Sequence, residues 1–152
     1  MINYIIAAWS GLRRGKPRPT RSYAKYFDDC TLYIRFHLDK VIKLKRYISH
    51  ITIVAPFNYE AEPKEFQEYL DGVPERISKT ENIDVTVLRR ENVGISFGSF
   101  SYAFEKMGTD WEYYIFNEDD HIPVREGFDA DLLQALQDKK CGCVCAWSRK
   151  DG

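Results

Sequence analysis

The sequence lacks the features that mark membrane, secreted and nucleic-acid-binding proteins. No apolar run among its 152 residues approaches the roughly 20 residues that span a bilayer. The amino-terminal MINYIIAAWSGLRR also lacks the basic-then-apolar order of a signal peptide. Because 22 Lys and Arg nearly balance 23 Asp and Glu, no global field draws the chain onto nucleic acid. These absences predict a soluble, cytoplasmic protein with no transmembrane segment and no nucleic-acid partner.

Cysteine is scarce, and its spacing argues against a zinc site. None of the 4 cysteines forms a CxxC pair, and the last three alternate within CGCVCAW, so they would share one face of a strand. Small apolar side chains on a buried face in a reducing compartment are therefore expected. The chain also lacks internal repeats, low-complexity tracts and linkers, which with 44% hydrophobic residues predicts one globular domain over residues 1–152.

Apolar residues recur with the two spacings that distinguish strands from helices. Short apolar or alternating runs predict five strands, at residues 3–9, 50–57, 83–88, 111–116 and 142–147. Helical spacing predicts four intervening helices, at residues 31–46, after Pro63, through 97–107 and from Phe128. Strands that alternate with helices predict an α/β fold, a Rossmann-like and mainly parallel sheet with helices on both faces.

Three polar loops follow predicted strands, and in such sheets ligands bind beyond the carboxyl ends of the strands. The loops are GLRRG (11–15), RRENVG (89–94) and NEDDHIP (117–123). The first opens a basic segment, residues 11–21, which is either a solvated loop or a clamp for anions. In the second, an exposed helix start favours anions, and Gly94 and Gly98 permit close backbone approach or serve only a tight turn and helix packing.

The third loop concentrates negative charge directly after the apolar YYIF, interpreted as a central buried strand. Crowded carboxylates repel one another unless a cation is present, and hard ions such as Mg²⁺ and Mn²⁺ take oxygen ligands together with substrate phosphates. The alternative is a solvated acidic turn that caps the following helix. With the basic loops, the metal interpretation indicates a diphosphate ligand.

RRENVGISFGSF, followed about twenty residues later by YYIFNEDDHIP, resembles the paired motifs of GT-A-fold, nucleotide-sugar-dependent glycosyltransferases of the polysaccharide-building and viral types. The motifs themselves match over residues 89–124, and the order of predicted strands and helices matches over most of the chain. It implies a nucleotide diphosphate sugar whose phosphates are bridged to Mn²⁺ or Mg²⁺. By position, Asp120 would bind the metal, with His121 as a second candidate ligand, and Glu118 and Asp119 would meet the ribose or donor sugar.

The remaining donor- and nucleotide-binding candidates lie at the ends of the first and third predicted strands. They are Trp9, Ser10, Arg13, Arg89, Arg90, Asn92, Gly94, Ser96 and Gly98. Arg89 and Arg90 would point to opposite faces of their strand, so one of the two is expected to reach a ligand.

Three departures from the family pattern limit what the resemblance implies. Ser96 stands where relatives often carry an acidic residue. The segment APFNYE, after the second predicted strand, lacks the aspartate that contacts the nucleotide base in many relatives, so Asn58 or a backbone group would have to make that contact. The sequence ends after the fifth predicted strand, without an acceptor-binding half, so the version is expected to be compact or truncated. The catalytic base is then unassigned, with Asp151 as the late carboxylate.

The sequence thus predicts a metal-dependent hexosyltransferase-like enzyme that transfers a sugar from a nucleotide diphosphate donor to a glycan or glycoprotein hydroxyl, with inversion implied by resemblance alone. A non-catalytic nucleotide- or partner-binding half-domain is one alternative. A nucleotidyltransferase is another, although no glycine-rich, lysine-terminated loop follows the first strand. Nucleotide base, donor sugar, acceptor and oligomeric state stay open.

Overall fold

Four strands and four helices alternate along the chain in a computed structural model that describes residues 1–9, 30–57, 62–139 and 142–144. The strands are β1 (Ile2–Ala7), β2 (Ile48–Pro56), β3 (Asp84–Arg90) and β4 (Tyr113–Glu118). The helices are α1 (Cys30–Leu44), α2 (Lys64–Glu81), α3 (Ile95–Met107) and α4 (Phe128–Lys139). The predicted order of elements from β1 to α4 is confirmed, and most boundaries fall within two residues of the prediction.

The four strands form one parallel sheet in the order β3-β2-β1-β4. In register, Ala7 pairs with Val54 on one side and with Glu118 on the other, so β1, β2 and β4 end at the same rim. The parallel α/β sheet predicted from the sequence is confirmed. Its rim brings together chain segments more than 100 residues apart.

Helices cover both faces of the sheet, which explains why the two central strands, β1 and β2, are mostly apolar and buried. The larger core lies on the face covered by α1, α2 and α4, where Tyr4, Ile6 and Ile53 are fully buried. On the other face, Ile5 and Val54 pack against Ala103 of α3. Within the described ranges, no helix is long and apolar enough to cross a membrane.

The first turn of α4 is tied to the start of β2 by a buried carboxylate. Asp129, which is 0% exposed, accepts hydrogen bonds from the backbone N–H groups of residues 46–48 at 2.6–2.9 Å. The N–H of Gly127 donates to the carbonyl of Leu44 at 2.7 Å. These bonds fix the end of the chain segment that leaves β4 and carries the polar residues of the rim.

Two expectations about the region after residue 110 differ from the structure. Among the described strands, β4 lies at the edge rather than in the centre of the sheet, and its Phe116 is 45% exposed. Residues 142–144 belong to no strand, and 145–147 lie outside the described residues, so the fifth strand stays a prediction. Cys143 is exposed, contrary to the expected burial of the cysteines, whereas Cys30 is buried.

Candidate metal and nucleotide site

A tight turn at the carboxyl end of β4, residues 118–121, carries the acidic side chains and is called the acidic turn below. The N–H of His121 donates to the carbonyl of Glu118 at 3.1 Å, which closes the turn. A second backbone bond runs from the N–H of Asp119 to the carbonyl of Ala7 at 3.1 Å. The acidic turn is therefore anchored to the end of β1, as expected for neighbouring parallel strands.

Three side chains of the acidic turn converge as a set of metal ligands would. Ligand atoms of Glu118, Asp120 and His121 all lie within 4.8 Å of one another. Ligands on opposite sides of a Mg²⁺ ion with bonds of 2.0–2.1 Å lie about 4 Å apart, so small side-chain movements bring all three atoms onto one ion. Two carboxylates and an imidazole are also a donor set that Mn²⁺ accepts. The residues present fit a divalent cation.

Asp119 differs from its neighbours because it faces inward. Its side chain is 5% exposed, and its Oδ2 accepts a hydrogen bond from the backbone N–H of Trp9 at 2.9 Å. The Trp9 side chain is itself 38% exposed at the rim. The structure thus gives Asp119 a role in joining the ends of β1 and β4, and its contact with a donor sugar stays a prediction from the sequence.

The start of α3 meets the acidic turn through a side-chain hydrogen bond. Ser96 Oγ donates to Glu118 Oε1 at 2.6 Å, which joins the helix that follows the second predicted loop to the third loop. Gly94 precedes the helix with φ 79°, and Ile95 follows with φ 52°, an uncommon conformation for a β-branched residue. The amides at the start of a helix favour anions, so this end of α3 could bind phosphate beside a metal ion.

The two arginines at the end of β3 do point to opposite faces, as the sequence predicted. Arg89 forms a two-bond pair with the carboxylate of Glu62, at 2.5 and 2.7 Å, and lies over the ring of Phe57 at 4.8 Å. Arg90 turns to the other face. Its guanidinium donates to the carbonyl of Val93, to the carbonyl of Ile95 at 3.4 Å and to Ser99 Oγ at 3.0 Å.

Gly98 serves close packing at the same turn. A Cβ built at this position would lie 1.9 Å from the carbonyl oxygen of Val93 and 2.6 Å from the Arg90 guanidinium. Of the two interpretations that the sequence left open for this glycine, the structure supports the packing role. Asn92, another candidate, is exposed on the connection between β3 and α3.

A buried polar network lies beneath the acidic turn, and no pattern in the sequence predicts it. His37 of α1, which is 0% exposed, lies 2.9 Å from the Asp119 carbonyl through Nδ1 and 2.9 Å from the Tyr4 hydroxyl through Nε2. Burial lowers the pKa of His37 to about 4, although the hydrogen bond to Asp119 and the charge of that residue oppose the shift. Burial likewise raises the pKa of Tyr4. Both side chains are therefore neutral near pH 7.

Three sequence-predicted candidates lie outside the described residues. They are Ser10, Arg13 and Asp151, and the basic segment 11–21 lies outside them as well. The described part of the site therefore consists of the acidic turn, the ends of β1 and β3 and the start of α3.

A groove of about 960 Å³ follows the outer edge of β4. Aromatic side chains of α3 and β4 line it, among them Phe97, Phe104 and Phe116, and none of the three converging side chains of the acidic turn does. Phe97 and Phe104 are 83% and 44% exposed, so the helical spacing of these phenylalanines does not place them in the core. Among the described residues, the side chains that converge as metal ligands are those of the acidic turn, so the acidic turn and not this groove is the candidate metal site.

The fold and rim define a class: a Rossmann-like α/β protein with an acidic turn and a helix start at the carboxyl end of its parallel sheet. Comparisons with models of known protein families, with curated proteins and with solved structures find no match to this chain. The functional conclusion below therefore depends on the site itself and on the motif resemblance.

Proposed function

We propose that this chain binds a nucleotide diphosphate sugar with Mn²⁺ or Mg²⁺ and transfers the sugar to a glycan or glycoprotein hydroxyl, as a metal-dependent glycosyltransferase of GT-A type. The observation that carries the proposal is the convergence of Glu118, Asp120 and His121 within 4.8 Å at the carboxyl end of a parallel strand. In open α/β sheets that end is where ligands bind.

The acidic turn, the start of α3 and the end of β1 would share the binding of the donor. Asp120, with Glu118 and His121 beside it, would hold the ion, and the backbone N–H groups at the start of α3 would meet donor phosphate oxygens. Ser96 orients Glu118 through the 2.6 Å bond between them. The exposed ring of Trp9 would stack on the nucleobase. The bound ion would supply positive charge that neutralises the departing nucleoside diphosphate.

Acceptor activation requires a base that takes the proton of the attacking hydroxyl. Asp151 stays the candidate from the sequence, and inversion at the anomeric carbon follows from the motif resemblance. Both arginines at the end of β3 have partners within the fold. Arg89 is held by Glu62, and Arg90 is held by α3.

The direct test compares two conservative aspartate variants by calorimetry with Mn²⁺, alone and together with uridine or guanosine diphosphate. Asp120→Asn removes the charge at the candidate metal ligand, and Asp71→Asn makes the same change at an exposed position on α2. We expect Asp120→Asn to weaken Mn²⁺ binding at least about tenfold, because a charged ligand is replaced by a neutral amide. Asp71→Asn should bind like the natural chain. Equal affinities for Asp120→Asn and the natural chain would refute the site.

Product analysis separates the transferase from its rivals. A glycosyltransferase releases nucleoside diphosphate from the donor, whereas a nucleotidyltransferase forms or consumes pyrophosphate. Metal-dependent nucleotide binding without sugar transfer or donor hydrolysis, under conditions with a range of acceptor glycans, would instead identify a non-catalytic binding domain.

A further inference from the structure

The acidic turn is held from below by a chain of hydrogen bonds that begins on α1. His37 contacts the carbonyl of Asp119 and the hydroxyl of Tyr4, each at 2.9 Å. The amide nitrogen of Asn117 then donates to the Tyr4 hydroxyl at 2.5 Å and to the carbonyl of His121 at 2.5 Å. The network therefore reaches two backbone carbonyls of the turn, one at its second residue and one at its last.

The direction of each hydrogen bond is fixed by the partners. A carbonyl only accepts, so His37 Nδ1 must carry the proton that faces Asp119, and in the neutral ring Nε2 must then accept. The acceptor at Nε2 orients the Tyr4 hydroxyl toward His37, which leaves an oxygen lone pair of Tyr4 for the Asn117 amide. Each group has one assigned role, and the arrangement admits a single histidine tautomer.

We propose that His37 is a positioning residue for the candidate metal site. It holds the backbone of the acidic turn through Asp119 directly and through Tyr4 and Asn117 indirectly, so that Glu118, Asp120 and His121 converge before any ion binds. This inference rests on the function proposed above. Residues that orient metal ligands from behind typically change metal affinity 10- to 100-fold when they are replaced.

A positioning role differs in its consequences from a purely structural one. His37 also packs edge-on against the Tyr4 ring, with centroids 5.8 Å apart, so its loss costs stability in any case. A suitable control removes another buried polar contact without touching the turn. Thr52 Oγ donates to Asn3 Oδ1 at 3.0 Å on the opposite face of the sheet, and both residues are 0% exposed.

The experiment measures Mn²⁺ binding by calorimetry and backbone amide hydrogen exchange by NMR. The variants are His37→Leu, His37→Asn, Tyr4→Phe and the control Thr52→Val. We expect His37→Leu to weaken Mn²⁺ binding 10- to 100-fold and to speed amide exchange in residues 118–121. His37→Asn, whose side-chain amide can still donate to Asp119, should recover part of the affinity. Thr52→Val should change neither quantity beyond about threefold, despite its lower stability.

Each outcome decides one of the two proposals. Mn²⁺ affinity in His37→Leu within about threefold of the natural chain would overturn the positioning role. If His37→Leu does not fold, Tyr4→Phe replaces it, and unchanged affinity in that variant would have the same meaning. If the natural chain itself binds no Mn²⁺, the proposed function fails. The positioning role of His37 is then tested by amide exchange alone. Equal exchange rates of residues 118–121 in the His37 and Thr52 variants would overturn that role.

Discussion

The burial of His37 predicts that acid destabilises this protein in a defined pH window. Its side chain is 0% exposed between α1 and the sheet, and its pKa falls from 6.5 to about 4 because burial disfavours the charged ring. The charges that act on it are Asp119, which favours protonation, and His121, which opposes it. In the unfolded chain the ring is solvated and protonates near its ordinary pKa. Between these two values the unfolded state binds more protons than the folded state.

The sign and the size of the effect follow from that difference. Since the folded pKa is the lower one, the contribution of His37 is fully present above pH 6.5 and is lost as the pH falls toward 4. The shift from 6.5 to about 4 corresponds to a total of about 3 kcal/mol. By pH 5 about 2 kcal/mol should be lost, which for a chain of this size lowers the melting temperature by about 4–8 °C.

The contribution of His37 to the free energy of unfolding can be measured by urea denaturation. The natural chain and His37→Asn are compared at several pH values between 7.5 and 4.5. Carboxylates titrate in both proteins, so the difference between their unfolding free energies isolates the histidine. We expect that difference to be constant above pH 7 and to shrink by about 2 kcal/mol at pH 5. A difference that does not vary with pH, or an NMR titration of His37 with a midpoint near 6.5, would refute the reasoning.

Further predictions concern the packing around the site. Asp129→Ala leaves the N–H groups of residues 46–48 without their acceptor, and that of Ile48 is buried, so urea denaturation should show a loss of about 2–3 kcal/mol. A loss below about 1 kcal/mol would contradict the role of this carboxylate. Gly98→Ala drives a methyl group toward the Val93 carbonyl and should cost about 1–3 kcal/mol. Gly72→Ala on α2 meets nothing within 4 Å and should instead raise stability by up to about 1 kcal/mol. Comparable effects of these two glycine variants would show that the steric argument is wrong.

Much of the fold could be predicted because its signals are local. A run such as HITIVAPF or a helical spacing such as Ile34, Leu38 and Val41 depends on residues that are neighbours in sequence, and these predicted β2 and α1. The alternation of strands and helices then predicted a parallel sheet, because a helix that crosses over between two neighbouring strands leaves those strands parallel. The same rule placed the acidic turn and the start of α3 on one rim, as the bond between Ser96 and Glu118 confirms.

The partners of individual polar groups could not be predicted, because they come from distant parts of the chain. No periodicity relates Trp9 to Asp119, or His37 to the Asp119 carbonyl, which are separated by 110 and 82 positions. The sequence likewise left open which of Arg89 and Arg90 reaches a ligand, and it did not reveal that the folded chain pairs Arg89 with Glu62.

The elements from β1 to α4, the parallel sheet and the rim at which negative charge collects could be read from the sequence, since hydrophobic spacing and crossover geometry depend on local order. The folded structure was needed to show which carboxylate faces inward, which arginine pairs with a carboxylate and which histidine lies beneath the acidic turn. Those choices depend on burial and on hydrogen bonds between segments that meet only when the sheet forms.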